Sequence, residues 1–296
     1  MSASCGFFAA IAALFTMSPC DDEISGLLHF EKSLYRNIYV IENDDLRCLT
    51  FRKSIYQDRQ TCVSLDDPDE LVFPYTRMML GVLSMNPNPE RILIVGLGGG
   101  TLPMDLQEIL PRAHIDVVEI DEAVVKVARD YFDYQEDGRL RTFAMDGRVF
   151  VKRALLDGNK YDLIMLDAFE DEYIPEHLLT VEFLNEVKDL LSPSGIVASN
   201  TFSSSGLYPH ESATYEEAFG TFYNLRSTNR VIWAKKGELP PKDEITKNAN
   251  ELAPEFEKRG FRARWLIDLV SIKRDWPSDS YVLTDQYSPS NILNER

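Results

Sequence analysis

The sequence has no hydrophobic run long enough to cross a bilayer. Its most apolar stretch, GFFAAIAALFTM (Gly6–Met17), has 12 residues, and a spanning helix needs about 20. The stretch resembles the apolar part of a signal peptide, yet no Lys or Arg precedes it and MSPC is a poor cleavage site. A buried N-terminal helix is the plainer reading. The expectation is a cytoplasmic protein, with export or membrane attachment through residues 1–20 left open. Cysteine is scarce: Cys5, Cys20, Cys48 and Cys62 are irregularly spaced, with no CxxC and no His/Cys metal spacing. That supports neither a zinc site nor a disulfide framework, and no metal is expected. Positive charge is short as well, with 31 Lys and Arg against 48 Asp and Glu and a net charge of −17. This excludes a general nucleic-acid binder, which needs clustered basic residues. It suits a cationic small substrate. GxSxG and HExxH are missing, and the four histidines (His29, His114, His177, His210) are scattered. His177, in IPEHLL, reads as a helix-surface residue.

What is present falls into three segments: an uncertain apolar stretch over 1–24, a small β-rich unit over 25–88, and a larger unit over 89–296. Within the second, SLYRNIYVIEN, LRCLTFRKS and QTCVSL alternate apolar and polar residues, as short antiparallel strands do. Glu42–Asp45 is the expected hairpin turn. A helix is expected to start near Pro74, and NPNPE (Asn86–Glu90) reads as a linker. From Arg91 onward, RILIV, IDVVEI, LRTFAM, YDLIML and GIVASNTF are apolar runs separated by helical stretches. That is the pattern of a doubly wound, mostly parallel α/β sheet. RVIWAKKG, ARWLIDLV and SYVLTD are expected as late strands.

Four glycines stand within five positions after RILIV: Gly96, Gly98, Gly99 and Gly100. Glycine inside a regular element is destabilising by roughly 0.5–1 kcal/mol relative to alanine. Here the cluster sits where a parallel sheet binds ligands, outside the carboxyl end of a strand. The spacing departs from GxGxxG because Thr101 takes the third fingerprint position, which weakens a dinucleotide reading. The next strand ends at Glu119, about 20 residues on, where an acidic residue can hold ribose hydroxyls. Asp121 follows it. The third strand ends at Asp146 and the fourth at Asp167, with Glu170 and Asp171 beyond. One such carboxylate would pass as a helix cap. Four successive strand ends bearing glycines, Glu, Asp and Asp point to one crevice.

These residues resemble the spermidine synthase family, a class I methyltransferase fold preceded by a small antiparallel β domain. The resemblance runs from about Ser33 to Leu283 and is densest from Gln60 to Phe202. The family's glycine-rich loop, E-I-D, D-G and D-S-S-D-P segments correspond to Gly96–Thr101, Glu119–Asp121, Asp146-Gly147 and Asp167–Asp171. The resemblance implies donor-nucleotide contacts at Gln60, Gly96, Gly98, Gly100, Glu119, Asp121 and Asp146, acceptor contacts at Tyr75, Glu170 and Asp171, and deprotonation of the attacking amine by Asp167. It implies an aminopropyl transfer from decarboxylated S-adenosylmethionine to a small amine, a polyamine among the candidates. Two positions depart from the family. Gly99 replaces an Asp expected to hold the donor's amine, which opens the site to ordinary S-adenosylmethionine. DAFE replaces D-S-S-D, so Glu170 stands at the second acidic position. An S-adenosylmethionine-dependent methyltransferase and a non-catalytic adenosyl-nucleotide-binding protein are the alternatives. The acceptor and the oligomeric state, a homodimer included, stay open.

Overall fold

The structure, a computed structural model, describes residues 25–57, 59–168, 175–201, 203 and 205–293. The apolar 1–24 stretch, Glu170 and Asp171 lie outside them. Two sheets carry the fold. The first is an antiparallel meander of β1 (Leu27–Lys32), β2 (Asn37–Asn43), β3 (Leu46–Thr50) and β4 (Arg59–Ser64). The β2–β3 hairpin turns at Asp44, in the left-handed region at φ 53°, a conformation that Asp tolerates.

Cys48 and Cys62 face each other across β3 and β4, with Cα atoms 4.1 Å apart, and are joined by a disulfide. This corrects the sequence expectation. The spacing of 14 residues carries no pattern by itself. The strand register brings the pair together.

A short helix, α1 (Pro74–Leu80), begins at a proline that needs no N–H partner in the first turn. It leads into β5 (Arg91–Val95), α2 (Thr101–Ile109), β6 (His114–Glu119), α3 (Glu122–Tyr131), β7 (Leu140–Ala144), α4 (Gly147–Leu156), β8 (Tyr161–Leu166), α5 (Val181–Leu190) and β9 (Leu191–Thr201). Then come α6 (Tyr208–Phe219), β10 (Tyr223–Arg226), β11 (Arg230–Lys235), α7 (Lys242–Glu251), α8 (Ala253–Lys258), α9 (Ala263–Leu269) and α10 (Ser290–Leu293). The second sheet has the order β10-β11-β9-β8-β5-β6-β7. β5 to β9 run parallel, and β10 and β11 close one edge antiparallel. Both faces are covered, so the central strands are apolar on both sides. Ile92 and Ile94 of β5 join the core under α1, α2 and α7–α9, while Leu93 and Val95 join the core under α4–α6. The order reverses between β5 and β8, which makes their carboxyl ends the switch point.

Two expected strands are not strands. ARWLIDLV forms α9: its buried residues Ala263, Leu266, Ile267 and Val270 follow i, i+3, i+4, i+7 spacing, which is one helical face. Leu266 packs directly on Gly81. SYVLTD joins no ladder beyond an isolated bridge from Thr284 to Tyr287. Helix side chains hold it instead. The Tyr281 ring stacks on His210 at 3.6 Å, and Leu283 N donates to Thr214 Oγ1 at 2.9 Å. Among the described residues, no helix is long and apolar enough to cross a membrane.

Candidate active site

A cavity of about 1040 Å³ opens over the carboxyl ends of β5, β6, β7, β8 and β9 and under the small sheet. Its floor is built from the ladder itself. Asp167 N donates to Val95 O at 2.8 Å, and Gly96 N donates to Val118 O at 2.8 Å, so β5, β6 and β8 stay paired past their last regular residue. That pairing presses Gly96 against β8. A Cβ at Gly96 would lie 2.1 Å from the Asp167 carbonyl oxygen, at a φ of 103° that disfavours side chains. Only glycine fits this close approach.

Gly98 and Gly99 are clamped by the small sheet. Thr61 Oγ1, on β4, accepts the Gly99 N–H at 2.7 Å. A Cβ on Gly99 would meet Thr61 Cγ2 at 2.7 Å and the Phe132 ring at 3.1 Å, and Gly99 does not line the cavity. A side chain at this position would press on Thr61 and Phe132 rather than enter the cavity, so packing gives Gly99 a reason that does not involve the donor. Gly100 does not line the cavity either. Its Cβ would face Tyr134, and its φ of 86° starts α2 from the left-handed region. The expected ligand contact at Gly100 is corrected to a structural role. Gln60, Gly96, Gly98, Glu119, Asp121, Asp146, Tyr75 and Asp167 all reach the cavity wall.

The carboxylates there differ in their freedom. Asp121 is 5% exposed; it caps α3 through Ala123 N at 3.0 Å and accepts the Ser33 hydroxyl on its other oxygen. Its oxygens are thus already engaged by the fold. Glu119 is held from two sides: Oε2 accepts Leu97 N and Oε1 accepts Asp121 N, each at 3.0 Å. Burial raises its pKa from the ordinary value, with those backbone donors opposing the rise. Each oxygen keeps further acceptor capacity toward a ligand hydroxyl. Asp146 caps α4 through Val149 N at 2.9 Å and places Oδ2 2.8 Å from His177 Nε2. His177 thus faces the site, although the sequence reading left it on a helix surface. The chain folds the 176–178 turn back over α4, which sequence spacing does not encode.

Asp167 is half-buried at the end of β8. Burial pushes its carboxyl up to about 6, with Glu119 adding to the rise, while hydrogen bonds from Asn200 and Tyr75 oppose it. Asn200 Nδ2 donates to Asp167 Oδ1 at 3.0 Å. Burial and the Asp167 charge together raise the Tyr75 phenol well above its usual range, keeping it a neutral donor. A carboxylate whose pKa is raised to about 6, with a hydroxyl and an amide donating to it, is suited to accept a proton inside the cavity. Asn200 was not among the residues the sequence singled out. The signal was available: it is a polar residue near the end of the fifth parallel run, GIVASNTF, as Asp167 directly follows the fourth.

The Spermine/spermidine synthase domain family matches residues 72–224. The chain is 46% identical over 291 residues to the polyamine aminopropyltransferase of Vibrio vulnificus (strain CMCP6), covering 97% of each. A probable spermidine synthase from Corynebacterium glutamicum superposes with a TM-score of 0.67 at 19% identity, covering 88% of this chain and 97% of that one. A spermidine synthase crystallised with the transition-state analogue AdoDATO superposes with a TM-score of 0.65 at 20% identity, covering 83% and 85%. These two structural likenesses show a shared fold.

Proposed function

Since the chain belongs to the spermine/spermidine synthase family, we propose that it moves an aminopropyl group from decarboxylated S-adenosylmethionine to a small amine, a diamine or polyamine. The observation that carries this reading is Asp167, a half-buried carboxylate at the switch point that lines the cavity with Glu119, accepts a hydrogen bond from Asn200, and has its pKa raised to about 6. A neutral amine attacks the donor's aminopropyl carbon next to the sulfonium. The C–S bond breaks, its electron pair stays on sulfur, and methylthioadenosine leaves. The new C–N bond makes the amine cationic, and Asp167 takes the proton it sheds. Glu119 receives the ribose hydroxyls, the Asp146–His177 pair faces the base, Gln60 contacts the donor nucleotide and Tyr75 the acceptor amine. Holding nucleophile, carbon and sulfur in line supplies much of the rate. The acidic cavity draws in the cationic donor and acceptor.

The test is release of methylthioadenosine, measured with decarboxylated S-adenosylmethionine and a panel of diamines and polyamines, beside ordinary S-adenosylmethionine. Turnover with the decarboxylated donor supports the reading. Methyl transfer from S-adenosylmethionine with no aminopropyl transfer refutes it.

A further inference from the structure

Asp167 has a hydrogen-bonding neighbour on the next strand. Asn200 is the tenth residue of β9, paired with Val231 of β11, and is 9% exposed. Leu166 of β8 stands opposite Ser199 of β9 in the parallel register, so Asp167 and Asn200 leave adjacent strands side by side. Successive residues on a strand face opposite ways. Ser199 turns to the helical layer and accepts the Tyr215 hydroxyl at 2.7 Å, while Asn200 turns to the cavity. Its Nδ2 donates to Asp167 at 3.0 Å. Its Oδ1 is buried and has no donor among the described residues. Burying an amide with one end unmatched carries a penalty that an apolar residue here would avoid. The bond to Asp167 is therefore the feature this side chain is placed to make.

Building on the reading of Asp167 as the proton acceptor, we infer that Asn200 is a positioning residue for the transfer, holding the Asp167 carboxylate ionised and turned toward the attacking amine. An amide N–H can donate to a carboxylate but gains nothing from facing the protonated acid's hydroxyl, so the bond favours the charged form. Among the described residues, the other ionisable groups acting on Asp167 are the Tyr75 hydroxyl from α1, which also donates to it, and the Glu119 carboxylate from β6, which opposes its ionisation. Asn200 and Tyr75 together oppose burial and Glu119 without cancelling them.

The experiment is the pH profile of kcat, at saturating donor and acceptor, for wild type, Asn200→Leu and Asn200→Asp, with methylthioadenosine binding measured by calorimetry on each. Asp167→Asn is run alongside. In Asn200→Leu the acid limb should move up by about one to two pH units, since a hydrogen bond to a charged group is removed. In Asn200→Asp it should move further, because two facing carboxylates resist ionising together. Methylthioadenosine should bind all three alike. An acid limb that stays in place while Asp167→Asn is inactive overturns the Asn200 assignment alone. So does a loss of methylthioadenosine binding that tracks the loss of kcat, which would mark a structural role. Near-normal turnover by Asp167→Asn instead overturns the reading of Asp167 on which the inference rests. Should Asn200→Leu not fold, Asn200→Asp, nearly isosteric, carries the test by itself.

Discussion

Asp167→Asn should yield a more stable and nearly inactive protein. The Asp167 carboxyl is held at about 6 in the fold, against 3.8 in an unperturbed chain, mainly because it is buried. A folded-state pKa above the unfolded one means that the fold prefers the protonated acid. The stability it contributes is fully present below about pH 4 and is lost as the pH rises through about 6. A difference of roughly two units corresponds to about 3 kcal/mol. Water in the open cavity screens part of this, so about 1–3 kcal/mol is expected at pH 8. Asparagine keeps the shape, still accepts from Asn200, and stays neutral at every pH. The variant should therefore match wild type near pH 4 and exceed it by that amount at pH 8. Asp105 is also raised to about 6 by burial, but it is common to both proteins and cancels in the difference. The assay is denaturant unfolding followed by circular dichroism at the two pH values. Turnover should fall about 10²–10⁴-fold, the usual contribution of a general base. A stability gain equal at both pH values, or none at pH 8, refutes the burial argument. Turnover near wild type refutes the base assignment.

Glu119→Gln should weaken methylthioadenosine binding by about 1.5–3 kcal/mol, the value of a hydrogen bond to a charged group, read by calorimetry. Unchanged affinity would remove Glu119 from the nucleoside contacts. Reducing the Cys48–Cys62 disulfide, or replacing both cysteines by alanine, should cost about 3 kcal/mol of stability for a loop of this length. Equal unfolding midpoints with and without a dithiol would show that the bond is not formed in solution. Gly99→Asp should destabilise the protein without shifting its preference between donors, because the new Cβ meets Thr61 and Phe132 rather than the cavity. A stable variant with altered donor preference would refute that packing account.

The alternating segments of the small sheet and the buried runs of the parallel sheet were legible in the sequence because each pattern carries its own period. The strand-end residues Gly96, Glu119, Asp146 and Asp167 were legible for a related reason: a polar residue or glycine directly after a buried run must emerge at the sheet's edge. What spacing could not encode was decided by packing across the chain. ARWLIDLV holds both an apolar-rich run and a helical face, and contact with Gly81 and α7 selects the helix. Cys48 and Cys62 meet only once β3 and β4 are in register. Gly99 and Gly100 are glycines because Thr61, Phe132 and Tyr134 press on them from distant segments, so their meaning changed once those neighbours were known. Asn200 and His177 gain their partners, Asp167 and Asp146, from strand order and a loop folded back over α4. Local pattern determines where a side chain leaves its element; which charge it then faces is set by long-range contacts, and at this site those contacts set the pKa of Asp167.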